Sequence, residues 1–514
     1  MTVGALILVP NRELAVQVFD VLKKFSSVVK FTSSSFVGGN KLTVDVENFC
    51  KNGGNVVVAS PGRLAEILDD SKCVFENDNQ KINFVQCLKS LEILILDEAD
   101  RLFEVTFQVN LSTILEKLPK QRLTGLFSAT QTSYEDELKK VTLRNPIRIV
   151  VKADEKLSNG EELRVPTTLK NYYTVDLKGD ASSDIVEPAD KFASLREFVK
   201  QHMKNSKILL FVSTCAMADY IGQLLSLFLQ KPPRRRKKKT GATKKSASYN
   251  KILVLHGKKK KKRSHIFERF RNSKTGTVLV CTDVMARGLD VPDIDWVIQY
   301  DVPRSVNFFL HRCGRTARCG QAGNALLFLT PSELSYLEFL EKNQQVRLEK
   351  FDSFPVVEKE LVESTFSEIR KASSNDRNLL LKGTTAFVSF IQSYAKHDCS
   401  IVCQLKDLDV VQVAHCFGLH RLPKMPELCD RDLSNFKRST INTSDIKFKD
   451  KIMEKKQQGT DANATPLSEN NAKDDKKRKL DENEEMKQDY KLIKRLKKGK
   501  ISKSDFDNEF FNGS

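Results

Sequence analysis

Short, uninterrupted apolar runs recur along the first two thirds of the chain, and segments with helical patterns separate them. In the first 150 residues the runs are Ala5–Val9, Val56–Ala59, Leu91–Leu96 and Thr124–Phe127. Runs of this length without polar alternation are typical of strands that are buried on both faces of a parallel sheet. Because strands that alternate with helices form βαβ units, the pattern predicts an α/β domain.

A second set of apolar runs predicts a second α/β domain. It comprises Ile208–Val212, Ile252–Leu255, Thr277–Val280, Trp296–Tyr300 and Ala325–Leu329. A polar stretch with an Asn-Gly pair separates the two sets and predicts a linker. Two α/β units of similar size that are joined by a linker predict a cleft between them.

The chain therefore divides into five predicted segments. They are domain 1 (residues 1–151), a linker (152–167), domain 2 (168–340), a mainly helical C-terminal extension (345–440) and a charged tail (441–514). The tail is polar and poor in aromatic residues, which predicts disorder.

The charge balance favours a polyanionic partner. Lys and Arg number 85 against 66 Asp and Glu, which gives a net charge of +19, and nucleic acid is the first candidate. Two basic runs interrupt domain 2, at 231–245 and 257–263, and the first is either a solvated loop or a further contact to nucleic acid. No apolar stretch approaches 18 residues, so we expect no membrane span. The 11 cysteines have no repeated spacing and are read as reduced thiols.

Acidic and hydroxyl residues follow two of the predicted strands. Asp97, Glu98 and Asp100 follow Leu91–Leu96, at the edge where α/β sheets bind ligands. An acid there can hold a magnesium ion directly or through water, and the next acid can orient an attacking water. The alternative is a turn that merely follows a strand. Ser128 and Thr130 follow the next run and offer two hydroxyls.

Three arginines in HRCGRTARCG have a helical spacing. Arg312, Arg315 and Arg318 lie at positions i, i+3 and i+6, which predicts that they share one face of a helix. One such arginine can stabilise charge on a transferring phosphoryl group. The alternative is a basic surface helix.

The segment ASPGRLAEIL predicts the start of a helix. Ser60 is a favourable N-cap residue and Pro61 a favourable first helical residue. Helix N-termini bind phosphate, and Arg63 adds positive charge.

Taken in order, these motifs resemble those of the DEAD-box RNA helicases over roughly residues 3–335. The matching segments are PNREL, GG, SPGRL, DEAD, SAT, LHGK, CTDVMARGLD and HRCGRTAR. Farther along, TTAFVSFIQSYAKHDC, LKDLD, LPKMPEL and LIKRLKKGKIS resemble a nucleolar subgroup that acts in assembly of the large ribosomal subunit. The resemblance implies two RecA-like domains, ATP and Mg²⁺ as cofactors, and RNA as substrate. It also implies pre-ribosomal RNA and particles as partners, a monomeric protein without membrane association, and a location in the nucleus and nucleolus.

The resemblance also implies a role for individual residues. Asp97 would bind magnesium through water, Glu98 would position the attacking water, and Arg315 and Arg318 would be arginine fingers. The remaining nucleotide contacts would come from Gly288 and Asp290. Coupling between nucleotide and RNA would involve Asp100, Ser128, Thr130 and His311. Contacts to the RNA backbone would come from Pro10, Arg12, Gly39, Ser60, Gly62, Arg63, Ser213, Arg263 and Thr282.

One motif of that family, the phosphate loop G-x-x-x-x-G-K-[ST], has no counterpart in the 514 residues. The amides and the lysine of this loop hold the β- and γ-phosphates. We therefore expect this polypeptide, as written, to bind ATP poorly and to hydrolyse it slowly. We also expect a truncated first sheet that exposes apolar surface. We interpret the chain as a fragment or an incomplete gene model. The alternatives are a natural, non-catalytic RNA-binding short form and, with less support, a DNA helicase.

Histidines and cysteines cluster in the C-terminal extension. They either bind zinc or are core residues and free thiols. Their spacing fits no standard zinc pattern, which favours core residues and free thiols. These residues are His397, Cys399, Cys403, His415, Cys416 and His420.

Overall fold

The structure is a computed structural model that describes most of the chain up to residue 449. The described residues are 1–39, 41–69, 74–77, 80–128, 146–149, 168–175, 190–229, 251–259, 262–286, 290–318, 320–354, 358–429, 431–441, 443 and 446–449. Met1–Ile446 form one compact unit. The predicted linker, the basic run at 231–245, nearly all of the tail, Thr130 and Gly288 lie outside the described residues.

The first α/β domain is built on a parallel sheet of five strands, in the order β2-β3-β1-β6-β7. A hairpin of β4 and β5 lies outside this sheet. The strands are β1 (Ala5–Leu8), β2 (Ser33–Phe36), β3 (Val56–Ala59), β4 (Val74–Asn77), β5 (Gln80–Asn83), β6 (Ile93–Leu96) and β7 (Leu123–Leu126). The helices are α1 (Arg12–Ser26), α2 (Leu42–Asn52), α3 (Pro61–Leu68), α4 (Phe84–Leu88), α5 (Ala99–Leu102) and α6 (Val105–Lys117). On β7 and just beyond it, Leu123 and Phe127 are 71% and 59% exposed.

The second α/β domain is built on a parallel sheet of seven strands, in the order β10-β11-β9-β12-β13-β8-β14. The strands are β8 (Leu169–Val175), β9 (Lys207–Phe211), β10 (Lys251–Leu255), β11 (Thr277–Cys281), β12 (Trp296–Gln299), β13 (Gly323–Leu329) and β14 (Glu349–Lys350). The helices are α7 (Asp190–His202), α8 (Cys215–Leu229), α9 (Arg263–Arg271), α10 (Val306–Cys313) and α11 (Ser335–Gln344). The prediction of two parallel-sheet α/β domains is thus confirmed. The last strand lies beyond residue 340, where sequence reasoning ended this domain.

The C-terminal extension is helical, as predicted, and it packs on the second domain. Its helices are α12 (Lys359–Asn375), α13 (Arg377–Ala395) and α14 (Val410–Cys416). The hydroxyl of Tyr220, on α8, donates to the Phe417 carbonyl at 2.7 Å, and the two rings stack with centroids 5.5 Å apart. Gly383 on α13 fits closely here, because an added Cβ would lie 2.8 Å from the same carbonyl oxygen.

The histidines of the extension make ordinary polar contacts. His397 Nδ1 accepts from the Cys399 amide at 3.1 Å, and His420 Nε2 lies 3.0 Å from the Ser373 hydroxyl. Within the described ranges, the single group of His, Cys, Asp and Glu side chains able to hold a metal lies elsewhere, at Glu98, Asp100 and His311. These contacts agree with the interpretation that the histidines of the extension are core residues. No helix among the described residues is long and apolar enough to cross a membrane.

We expect Tyr220→Phe to loosen the extension. The substitution leaves the buried Phe417 carbonyl without its hydroxyl donor, which costs about 1–3 kcal/mol of the free energy of unfolding. Urea denaturation of the purified chain measures this loss, with the partly buried Tyr173→Phe as the control. Equal stabilities of the two variants would contradict the assigned contact.

Candidate active site and RNA interface

Several of the predicted site residues follow the carboxyl ends of parallel strands. The described residues in such positions are Pro10, Gly39, Ser60, Asp97 and Ser128 in the first domain, and Ser213 and Thr282 in the second. Because carboxyl ends of parallel strands meet at one edge of a sheet, each domain carries its polar chemistry on a single edge. Contacts described below join these two edges across the cleft.

An acidic corner follows β6. The Glu98 amide donates to Asp97 Oδ1 at 2.9 Å, and the Ala99 amide donates to the Phe127 carbonyl at 2.9 Å, which fixes the corner against the strand before Ser128. Glu98 has φ +51°, a left-handed conformation that is strained for a residue with a side chain. Burial, followed by repulsion from Glu98, raises the pKa of Asp97. The fold therefore holds closely spaced carboxylates that favour a bound cation.

These acids suit a magnesium ion. Carboxylate oxygens are the protein ligands that Mg²⁺ takes, and a cation would relieve the repulsion that raises the Asp97 pKa. In the part of the chain that the structure describes, the buried Oε2 atom of Glu98 makes no hydrogen bond. Glu98 Oε2 is thus placed to accept from a water molecule.

His311 links the acidic corner to the second domain. Its Nε2 atom lies 2.9 Å from Asp100 Oδ2, and its Nδ1 atom lies 4.0 Å from Glu98 Oε2. The His311 and Asp100 side chains are only 3% and 2% exposed. A buried polar contact is stable only while both partners remain in place, so this one depends on closure of the cleft.

The prediction that Arg312, Arg315 and Arg318 share one face of a helix is wrong. Helix α10 ends at Cys313, and Gly314 follows as its C-cap residue, so the later arginines lie in a turn. Arg312 is fully buried within the second domain, which also excludes a basic surface helix. Its Nε atom donates to Asp283 Oδ1 at 2.6 Å, and its Nη1 atom donates to the Asp301 carbonyl at 3.1 Å. Arg312 therefore supports the loop after β11 from inside the domain.

Arg315 and Arg318 face the cleft. Arg315 Nε donates to the His311 carbonyl at 3.0 Å, and Arg318 Nη1 donates to Asp290 Oδ1 at 2.8 Å. Burial, together with repulsion from Arg318, lowers the pKa of Arg315 to about 9. An anionic ligand would relieve both effects, so this corner suits a phosphate group.

Arg12 and Arg63 are held in place at the predicted RNA edge. Asn11 caps α1 by accepting from the Leu14 amide at 2.8 Å, so Arg12 is the first helical residue. Gly39 has φ +102°, a conformation that residues with side chains rarely adopt, so the backbone favours glycine beside the Arg12 guanidinium. Arg63 is buried, and its Nε atom lies 3.6 Å from Asp45 Oδ2.

Helix α3 begins as predicted, with Pro61 as its first residue and Ser60 at the N-cap position. The Ser60 side chain makes no capping hydrogen bond to this helix. Exposed Gly62 lies in the same first turn.

Sequence reasoning missed two residues that join the domains. Glu13 Oε2 accepts from Arg263 Nη2 at 2.5 Å. Gln17 Nε2 donates to the Asp290 carbonyl at 3.2 Å, and Gln17 Oε1 accepts from the Asp290 amide at 3.0 Å. Glu13 and Gln17 are four residues apart on α1, a spacing that places both on one face and could have indicated a polar interface.

Arg312 and Arg318 should respond differently to substitution. Arg312→Met removes the fully buried partner of an ion pair whose other side chain, Asp283, is 24% exposed, so the free energy of unfolding should fall by about 3 kcal/mol. Arg318→Met breaks a pair whose side chains are 30% and 68% exposed. Loss of an exposed pair costs about 0.2–1 kcal/mol. Urea denaturation of both variants measures the difference, and similar losses would show that Arg312 has no special structural role.

Comparisons with known proteins agree with this architecture. Residues 2–138 match the family described as "DEAD/DEAH box helicase", and residues 190–320 match "Helicase conserved C-terminal domain". Residues 376–425 match "ATP-dependent rRNA helicase SPB4-like, C-terminal extension". Among solved structures, the chain is similar to the DEAD-box helicase Mss116 bound to single-stranded RNA and UDP-BeF. That match has a TM-score of 0.61 and 25% identity, and it covers 81% of this chain and 76% of that one.

The sequence is also similar to curated relatives along nearly its whole length. It is 41% identical to the ATP-dependent RNA helicase DDX55 of Danio rerio, over 99% of this chain and 84% of the relative. It is 39% identical to the DDX55 of Homo sapiens, over 98% of this chain and 82% of the relative. The chain therefore belongs to the DEAD-box family of ATP-dependent RNA helicases.

Proposed function

We propose that this protein remodels RNA duplexes or RNA–protein complexes during ribosomal RNA processing and assembly of the large ribosomal subunit. The observation that best supports this activity is the contact between Asp100 and His311, which joins the carboxyl edges of the two sheets. The match of residues 376–425 to an rRNA helicase extension supports ribosomal RNA as the substrate. Nucleolar location and pre-ribosomal particles as partners follow from that substrate.

On the nucleotide side, ATP would supply the phosphate bond that hydrolysis breaks, and magnesium would supply positive charge beside the phosphates. Asp97 would hold the ion through water, and Glu98 would orient the attacking water with its buried Oε2 atom. Arg315 and Arg318 would meet the phosphate charge. Asp290 lies beside Arg318 and would contact the nucleotide. Gly288, the remaining nucleotide contact in the proposal, lies outside the described residues.

On the RNA side, Arg12, Ser60 and Arg63 of the first domain and Ser213 and Thr282 of the second lie on the joined edges. The proposed set also contains Pro10, Gly39, Gly62 and Arg263. Hydroxyl, amide and guanidinium groups of this kind bind phosphate and 2′-hydroxyl groups of RNA. RNA binding would therefore show little sequence preference. Because RNA would contact both domains, binding would favour the closed cleft.

Coupling would run through the acidic corner. Asp100 contacts His311 of the other domain, and Glu98 lies next to both. Ser128 follows β7, next to the strand that leads into this corner. Thr130, the other proposed coupling residue, lies outside the described residues. Closure on RNA would thus complete the hydrolytic site.

One observation favours a second candidate function. The 514 residues contain no G-x-x-x-x-G-K-[ST] segment, which in this family holds the ATP phosphates. A polypeptide of this sequence would bind RNA without efficient ATP turnover. In that case it would be a non-catalytic RNA-binding form.

RNA-stimulated ATP hydrolysis by the protein purified from its natural source tests the proposal. We expect activity, and we expect Glu98→Gln to reduce it by about 10²–10⁴-fold, because glutamine cannot accept a proton from the attacking water. Glu104→Gln, at the half-exposed pair with Arg101, is the control and should retain activity. RNA affinity of both variants should stay near that of the wild type.

Peptide mass spectrometry of the same sample distinguishes the two candidates. Peptides that carry a phosphate loop in frame with this sequence, together with ATPase activity, support the helicase. RNA binding with neither a phosphate loop nor ATP hydrolysis would overturn it in favour of the non-catalytic form.

A further inference from the structure

A groove lies in the C-terminal extension, between the start of α13 and the chain that follows α14. Its volume is about 740 Å³, which is within the usual range of ligand-binding cavities. Part of its lining is apolar and comprises Leu380, Leu381, Leu422, Pro423, Leu433 and Phe436. Leu381 is 49% exposed, so this apolar surface is accessible. We call this cavity the extension groove.

The charged residues that line the extension groove are all basic. They are Arg377, Arg421, Lys424 and Arg438, and the last three are exposed. Of the described residues that line the groove, none is acidic. Elsewhere in the second domain and the extension, exposed arginines such as Arg304 pair with a carboxylate, in that case with Asp398 at 3.4 Å. Positive charge without carboxylates beside an apolar surface favours an acidic partner.

Hydrogen bonds fix the walls of the extension groove. The Ser439 amide donates to the His420 carbonyl at 3.0 Å. Arg370 Nη2, on α12, donates to the Lys437 carbonyl at 2.8 Å. These bonds hold the chain after α14 against the helices of the extension. A groove that exists before its ligand arrives loses little conformational entropy on binding.

One buried polar atom on the wall of the groove indicates a ligand. His420 lines the groove and is only 2% exposed, and its Nδ1 atom makes no hydrogen bond within the described part of the chain. Its Nε2 atom lies 3.0 Å from the Ser373 hydroxyl, which itself donates to backbone carbonyls, so Nε2 carries the proton and Nδ1 is an acceptor. Burial, followed by repulsion from Arg370, lowers the pKa of His420, which keeps the ring neutral at neutral pH. Because buried acceptors are rarely unsatisfied, Nδ1 favours a ligand with an N–H donor.

A peptide suits the extension groove better than RNA does. Single-stranded RNA is bound by aromatic rings on which its bases stack. The Phe436 ring already contacts the His415 ring, with centroids 5.2 Å apart, and the other apolar lining residues are aliphatic. Helix α13 has 19 residues, so its first turn, at the groove, lies about 27 Å from its last turn, which lines a cavity together with Ser213 of the proposed RNA edge. Aliphatic surface with basic residues around it is suited to an amphipathic peptide.

We propose that the extension groove binds an acidic, leucine-bearing peptide segment of a partner protein. The apolar side chains of the segment pack on the leucines of the groove, and its carboxylates pair with Arg421, Lys424 and Arg438. A backbone amide of the segment donates to His420 Nδ1. The proposal rests on the geometry of the extension and not on the proposed function, so either can fail without the other.

Selection from a random peptide library on the folded full chain tests which ligand the groove prefers. The peptides have about 15 residues, enough for a helix of about 22 Å. We expect the enriched peptides to combine Asp or Glu with Leu, Ile or Met. Enriched peptides that are basic or have no apolar residues would overturn the proposal.

Fluorescence anisotropy with one enriched, labelled peptide then locates its site. Lys424→Glu should weaken binding about tenfold, because one attraction is lost and one repulsion is gained. Lys396→Glu is the matched control, since it replaces an exposed lysine at the opposite end of α13, and its affinity should stay near that of the wild type. Equal affinities of the two variants would overturn the site.

The apolar contact has its own pair of variants. Leu381→Ala should weaken peptide binding about tenfold, because apolar area that the peptide covers is lost, whereas alanine retains the helix. Ile401→Ala, at a residue that is 79% exposed and does not line the groove, is the control and should bind like the wild type. Unchanged binding by Leu381→Ala would contradict an apolar peptide contact.

Two other occupants are separate outcomes that would overturn a partner protein. If Lys424→Glu weakens binding of a fluorescent single-stranded RNA about tenfold and leaves peptide binding unchanged, the groove is an RNA site. The second occupant is the acidic segment at 481–485 of this chain, which is neutralised by Asp481→Asn, Glu482→Gln, Glu484→Gln and Glu485→Gln. If the wild type enriches no peptide but this variant does, the chain's own segment occupies the groove. Failure of both to enrich any peptide would overturn the groove as a peptide site.

Discussion

The buried contact between His311 and Asp100 is the interaction on which the functional arrangement depends. A parallel sheet collects polar residues at its carboxyl edge, but one edge alone offers only half of a binding site. The contact brings the carboxylates of one domain to the arginine turn of the other. Its side chains are almost inaccessible to solvent, so separation of the domains would expose both and replace their hydrogen bond with bonds to water.

Closure is supported by polar contacts rather than by a shared apolar core. The Glu13–Arg263 pair and the hydrogen bonds of Gln17 with Asp290 lie on the same interface as His311. Each domain has its own apolar core. Interfaces of this kind open and close more readily than apolar ones, which is what the proposed cycle of RNA binding and release would require.

Much of the fold could be predicted from local pattern. Apolar runs such as Val56–Ala59 predicted strands because a strand buried on both faces needs no polar residue. Strand β2 was missed because its sequence, Ser-Ser-Ser-Phe, has no apolar run. It lies at the edge of the sheet, where a strand does not need to be apolar. Strand β8 was missed because its polar residues broke the apolar run. Such strands are identified by their neighbours in the sheet, which the sequence does not show.

The sequence predicted which residues belong to the candidate site, but it did not predict which side chains each of them contacts. The spacing of Arg312, Arg315 and Arg318 suggested one helical face, yet the helix ends at Cys313, before the other two arginines, and Arg312 itself is buried in the interior. The partners of Arg312 lie 11 and 29 residues away in sequence, at Asp301 and Asp283, so spacing within the motif could not identify them. Glu13 and Gln17 likewise acquire a role only when the second domain closes on α1.

A double-mutant cycle on Asp100 and His311 tests the central claim most directly. The readout is kcat/KM for RNA in RNA-stimulated ATP hydrolysis by the natural protein, for wild type, Asp100→Ala, His311→Ala and the double variant. If the contact couples the domains, the double variant should lose about as much kcat/KM as either single variant, and the coupling energy should be about 0.5–3 kcal/mol. Additive losses, with a coupling energy near zero, would contradict the account.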